Sequence, residues 1–211
     1  KGCFGSVYKG QNRQTREVVA VKMIELRALD PPGGMFDQDR LEREIALMEQ
    51  LSEIKHKNIV KFYGQAKRGQ VVYLMLELCD TSLEHQVRTN KTSEEQLCRY
   101  GLQVLEGLVI MHQNGFIHRD LKADNILIKK GVCKIADFGM GTNQAFFSTQ
   151  QVGAIGIRAP EFEDQIEGKR HSAVDVWAFG VMMHFLTFKE IPFSAGDFAG
   201  FRQRVKNDPY K

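Results

Sequence analysis

The chain has 211 residues, an apolar fraction of 43%, a charged fraction of 26% and a formal net charge of +3. Such a length buries a sizeable core, as one two-lobed domain or two small ones. The net charge is too small to argue for nucleic acid or a membrane surface as a partner, and the composition is that of an ordinary globular protein.

Taken in chain order, Gly2 and Gly5 come first, in Gly2-Cys3-Phe4-Gly5-Ser6-Val7. Residues without a Cβ let backbone N–H groups approach phosphate oxygens. An ordinary hairpin turn explains those residues better when they are read alone. The strand restart at Val7 and Lys22 beyond it reverse that preference. Residues 18–24 are rich in β-branched side chains and predict a strand. Lys22 lies inside this apolar strand, and a solvent-facing lysine on an edge strand is the rival reading. Pro31-Pro32-Gly33-Gly34 predicts a loop. Asp37 or Asp39 can cap a following helix, in which Leu41, Ile45, Met48 and Leu51 recur at helical spacing. Glu44 lies one turn from Leu41 and Met48 and shares their face. Glu42 does not.

Residues 71–76 predict a second strand. Ser93-Glu94-Glu95-Gln96 is a capping-box pattern opening a helix with an apolar stripe of Leu97, Gly101, Val104, Leu108 and Met111. Asn114-Gly115 ends it. Residues 126–128 and 132–135 predict a short hairpin around Lys129-Lys130-Gly131, with Asn125 at one end and Asp137 at the other. Cys3, Cys79, Cys98 and Cys133 are scattered without metal-ligand spacing, which fits a reducing, intracellular setting. The most apolar run, residues 179–188, is too short to span a membrane and contains His184.

The most informative stretch is His118-Arg119-Asp120-Leu121-Lys122-Ala123-Asp124-Asn125, followed by Asp137-Phe138-Gly139. One carboxylate can orient an attacking hydroxyl, a lysine two residues on can meet phosphate charge, and an Asn and a second Asp can share magnesium. Phosphoryl transfer asks for this positioning and charge neutralisation more than for covalent chemistry. A lone Asp or Asn in a loop is usually a turn residue. Their order and spacing favour the functional reading.

With Val19-Ala20-Val21-Lys22, Ala159-Pro160-Glu161 and Asp175-Val176-Trp177, these motifs make the chain resemble the eukaryotic protein kinase catalytic domain along nearly its whole length. The resemblance implies a two-lobed α+β fold, with a small antiparallel sheet and one helix in the N-lobe (residues 1–76), a hinge (77–80) and a mainly helical C-lobe (81–211). It implies ATP and Mg2+ as cofactors and protein substrates. Asp120 is then the catalytic base. Lys122 contacts the γ-phosphate, which favours Ser/Thr acceptors, and Lys22 meets the α and β phosphates, held by Glu44. Gly2, Gly5, Val7, Ala20, Glu77, Cys79 and Leu127 join Lys22 and Asp137 in binding ATP, with Val7, Ala20 and Leu127 around the adenine and Leu76 behind it. Asn125 and Asp137 ligate the metal through oxygen. Met48, Phe62, His118 and Phe138 match an apolar column linking the lobes.

Arg119 is expected to bind a phosphate on the segment from Asp137 to Glu161. Ser148 and Thr149 are the expected sites, with Thr142 weaker, and an upstream activating kinase is the implied partner. Two residues depart from the family pattern: Ala154 stands where a threonine is usual, and Ile157 where Tyr or Trp is common. Both bear on the substrate-docking floor. The first glycine of the loop and the last C-lobe helices are missing from the pattern, so the sequence reads as truncated at both ends. A pseudokinase serving as a binding or scaffolding module is the alternative, opposed by Lys22, Glu44, Asp120, Asn125 and Asp137. A small-molecule kinase is opposed by Lys122 and by Ala159-Pro160-Glu161. Lys122-Ala123-Asp124-Asn125, residues 58–64 and residues 80–83 resemble kinases of the MAP kinase cascade.

Overall fold

A computed structural model describes residues 6–28, 38–90, 92–137, 159, 172–193 and 198–207. The first part is an antiparallel sheet of β1 (Ser6–Gln11), β2 (Val18–Glu25), β3 (Phe62–Arg68) and β4 (Val71–Glu77), in the order β1-β2-β4-β3. Paired residues of antiparallel strands share a face. The register Ala20↔Leu76, Lys22↔Leu74 and Ile24↔Val72 therefore places Lys22 on the face that buries Ile24, Val72 and Leu74. Helix α1 (Gln38–Ile54) contributes Leu41, Ile45, Met48 and Leu51 to the same core. Its first turn contains Asp39, so that residue does not cap the helix from outside. Asp37 lies outside the described residues.

The second part is mainly helical. A short strand β5 (Thr81–Ser82) leads into α2 (Leu83–Thr89), capped by the Ser82 hydroxyl accepting from the His85 amide. Helix α3 (Glu94–Gln113) is capped in the same way, with Ser93 accepting from the Gln96 amide. All five residues of its predicted apolar stripe are buried. Gly115, at φ 79°, follows the end of the helix.

The hairpin β6 (Ile126–Lys129) and β7 (Val132–Ile135) packs against α3 and turns through Lys130 and Gly131, both left-handed at φ 49° and 79°. Two consecutive left-handed residues match the twist of the flanking strands. Ile126, Ile128, Cys133 and Ile135 fill one face of the hairpin and are buried. Helices α4 (Ala173–Phe188) and α5 (Phe198–Asn207) follow, with Trp177 stacked on Phe193 and Phe201 meeting both rings edge-on.

Short connections join the two parts. The Val60 amide donates to Ile135 O (2.9 Å), the Ile135 amide to Asn58 O (2.8 Å) and buried Asn58 Nδ2 to Cys133 O (2.8 Å). The fold is thus α+β and two-lobed, as the motifs imply. No helix among the described residues is long and apolar enough to cross a membrane.

Candidate active site

The site is built outward from a buried carboxylate. Asp175 sits in the first turn of α4 and is fully buried. Its Oδ2 accepts from the His118 amide and pairs with His112 Nε2, both at 2.8 Å, and its Oδ1 accepts from the Arg119 amide at 2.7 Å. Burial alone would raise the pKa of this carboxyl. The bonds from His112 and from the two amides outweigh burial and hold it below the ordinary aspartate value.

The His118 ring is fixed as well. Nε2 lies 3.0 Å from Ala136 O and Nδ1 lies 3.3 Å from the Asp120 amide. Carbonyl and amide together assign the hydrogen to Nε2 and make Nδ1 the acceptor. Pinned this way, Arg119 keeps a left-handed backbone at φ 68°. Such a conformation costs about 1–3 kcal/mol and persists where neighbours hold it.

This pinned loop presents Asp120. Lys122 Nζ lies 2.8 Å from Asp120 Oδ2, and Asn125 Nδ2 donates to Asp120 O at 2.8 Å and to Oδ2 at 3.0 Å. Because Asn125 turns its nitrogen toward Asp120, its amide oxygen is the atom suited to a hard cation. Burial would lower the Lys122 pKa, but Asp120 outweighs it and raises the value, with smaller help from Asp137 and Asp124. The Asn125 carbonyl accepts from the Ala136 amide (2.9 Å), which ties the loop to the residue before Asp137.

On the sheet side, Lys22 Nζ lies 3.7 Å from Glu44 Oε1 and 3.6 Å from Asp137 Oδ1. Burial again would lower the lysine's pKa, and Glu44 with Asp137 overcomes it and raises the value. The rival Glu42 instead accepts from Gln38 at the surface, 2.9 Å away. Asp137 is left-handed at φ 62° and exposed, open to a ligand. Sheet, helix α1 and hairpin thus converge on one cationic group between two carboxylates. Oxygen ligands at Asn125 and Asp137, with a lysine beside them, suit a magnesium-bound polyphosphate.

Around this centre, Val7 pairs with Lys22 across β1 and β2 and is 61% exposed. Ala20 and Leu76 are paired and half-buried, and half-buried Leu127 lies on β6. Cys79 is half-buried, and burial, with help from the charge of Glu77, pushes its thiol up to about 11. A thiol so held is not a nucleophile at neutral pH. Met48, Phe62 and His118 are buried. Gly2, Gly5, Phe138, Ser148, Thr149, Thr142, Ala154, Ile157 and Glu161 lie outside the described residues.

A family model for the protein kinase domain matches residues 1–208. The chain belongs to the protein kinase family. The kinase domain is 37% identical over 184 residues to cytokinesis protein sepH of Aspergillus niger, covering 85% of this chain and 13% of that protein. It is 38% identical over 188 residues to MAP3K epsilon protein kinase 2 of Arabidopsis thaliana, again covering 85% and 13%. It is 34% identical over 186 residues to cyclin-dependent kinase F-4 of Oryza sativa subsp. japonica, covering 86% of this chain and 39% of that one. The chain thus spans a minor part of the length of these relatives.

Sequence reasoning placed Asp175 only within a helix motif and passed over His112. A carboxylate at the start of the apolar run 173–188 was the available signal for Asp175. His112 gave no signal, because its partner is 63 residues away.

Proposed function

We propose that this kinase domain transfers the γ-phosphate of Mg-ATP to Ser or Thr hydroxyls of other proteins, as part of intracellular signalling. The observation that carries the reading is Lys22 held between Glu44 and Asp137, beside an Asp120 fixed by Lys122 and Asn125. Lys22 would meet the α and β phosphates, with Glu44 keeping its ammonium in place. Asp120 would orient the acceptor hydroxyl and receive its proton as the oxygen bonds to phosphorus. Lys122, next to that carboxylate, would offset the charge of the γ-phosphoryl oxygens. Asn125 and Asp137 would hold Mg2+, which supplies charge neutralisation on the phosphates. Residues 77–80 serve as the hinge, with Glu77 and Cys79 contributing backbone atoms to the adenine site.

Lys122 supports Ser/Thr acceptors. The likeness to a MAP3K epsilon protein kinase supports a place in a MAP kinase cascade, with an upstream kinase as partner. The test is to incubate the full-length protein with Mg-ATP and a degenerate peptide library and to map the modified residues by mass spectrometry. Phosphoserine and phosphothreonine are expected. Phosphotyrosine alone, or no transfer, overturns the reading.

A further inference from the structure

The reaction leaves the Glu77 side chain without a role, yet it is among the best-held carboxylates described. Glu77 ends β4 and pairs with Val19, one residue out of phase with the face that carries Lys22. Its Oε1 lies 3.0 Å from Lys129 Nζ and its Oε2 lies 3.0 Å from Lys134 Nζ. The Lys61 amide also donates to Oε2 at 3.3 Å, and the Glu77 amide donates to Lys61 O at 2.8 Å. The Glu77 and Lys134 side chains are only 11% and 12% exposed and Lys129 is 31% exposed, so solvent screens the Lys134 contact less than the Lys129 one. Burial would raise the carboxyl's pKa, and the two lysines overcome it and lower the value.

Both lysines belong to the β6–β7 hairpin. The register Leu127↔Lys134 and Lys129↔Val132 sets Leu127, Lys129 and Lys134 on one face. Asn125 and Asp137 flank the same hairpin. Asp80 adds two further ties, its amide donating to Ile128 O and its carboxylate accepting from the Lys130 amide, at 2.8 and 2.7 Å. The hinge is therefore bolted to the element that carries the floor of the adenine site and both proposed metal ligands.

We propose that Lys129 and Lys134 are positioning residues for nucleotide binding: by clamping Glu77 they set the hinge backbone at a fixed distance from the metal-binding hairpin. The inference rests on the kinase reading above. The clamp acts on where ATP sits and not on the transferring phosphoryl group, so its loss changes affinity for nucleotide while leaving the chemical step alone.

The test uses the full-length protein with Lys129→Ala, Lys134→Ala and Lys129→Arg. The two alanine variants should each raise KM for ATP about fivefold, roughly the net worth of one ordinary hydrogen bond, with kcat within about twofold. Lys129→Arg keeps the charge and should restore KM. Unchanged KM in both alanine variants overturns the proposal. A fall in kcat at constant KM overturns it too, as does a loss that follows a lowered unfolding midpoint and is not restored in Lys129→Arg. If the unmodified protein transfers no phosphate, the kinase reading fails by itself. Calorimetric ADP affinity then decides the clamp, with the same fivefold weakening expected and equal affinities overturning it.

Discussion

Lys22 and Asp175 are both charged groups in low-dielectric surroundings, and each is kept charged by partners that overcome burial. Lys22 faces the phosphates in the proposed reaction. Lys22→Met should cut the rate of peptide phosphorylation by about 100- to 1000-fold, the usual cost of removing one well-placed electrostatic group. Asp137→Asn should do likewise by weakening the proposed metal site. Steady-state rates in either variant equal to those of the unmodified protein would refute the assignment.

Asp175 touches no substrate and acts on stability. Asp175→Ala leaves the His118 and Arg119 amides without their acceptor and should lower the unfolding free energy by roughly 3 kcal/mol. Its pKa is depressed on folding, so its ionisation stabilises the protein fully above the unfolded value of about 3.9 and progressively less as pH falls through the lower folded value. In urea titrations at pH 7, 4 and 3, the gap between the unmodified protein and Asp175→Asn should narrow below about pH 4. A constant gap would exclude this linkage.

At the scale of elements, α3 meets the hairpin with no room between them. A Cβ on Gly107 would lie 2.8 Å from Ile135 Cδ1 and 2.9 Å from Asn58 O. The second contact is backbone and cannot swing aside. Gly107→Ala should therefore destabilise the protein by about 1–3 kcal/mol despite the better helix propensity of alanine, read as a lower thermal midpoint. Ser93→Ala should cost about 1 kcal/mol by removing the cap on the same helix. A midpoint raised by Gly107→Ala would show that the packing relaxes.

Helix α3 was legible because its stripe has helical period and both ends carry capping residues. The hairpin was legible because Lys130-Gly131 sits between two β-branched runs. Strand β3, Phe-Tyr-Gly-Gln-Ala-Lys-Arg, was missed because only Phe62 is buried. It forms since β4 offers it an edge, which no local pattern reports. Helix α2 is too short to display a period. The Lys22–Glu44 pair could be read from the face shared by Leu41, Glu44 and Met48. The Asp175–His112 and Glu77–Lys134 pairs could not, because tertiary packing alone brings them together.

Across the whole molecule, the proposed catalytic loop is tied to the end of the β6–β7 hairpin through Ala136 and lies next to the expected control point. Arg119 adjoins Asp120, and its amide is fixed by Asp175, so a change in what its side chain binds is felt beside the proposed base. Ser148 and Thr149 follow Asp137-Phe138-Gly139 in the sequence. We propose that an upstream kinase phosphorylates one of them and that Arg119 receives the phosphate. The modification adds nearly two negative charges and three acceptor oxygens, enough to order a loop against an arginine. Two charge-assisted hydrogen bonds are worth about 1.5–3 kcal/mol each, and a net ~1.4 kcal/mol in favour of the active arrangement gives a rate gain of about tenfold. Matched modified and unmodified proteins, with site occupancy read by mass spectrometry, should differ by that factor. The Ser148→Ala/Thr149→Ala double variant should stay at the unmodified rate, and Arg119→Ala should remove the gain while the site is still occupied. Full modification without a change in rate, or a double variant as active as the modified protein, would rule this switch out. A gain that survives Arg119→Ala would keep the switch and reassign the cation that receives the phosphate.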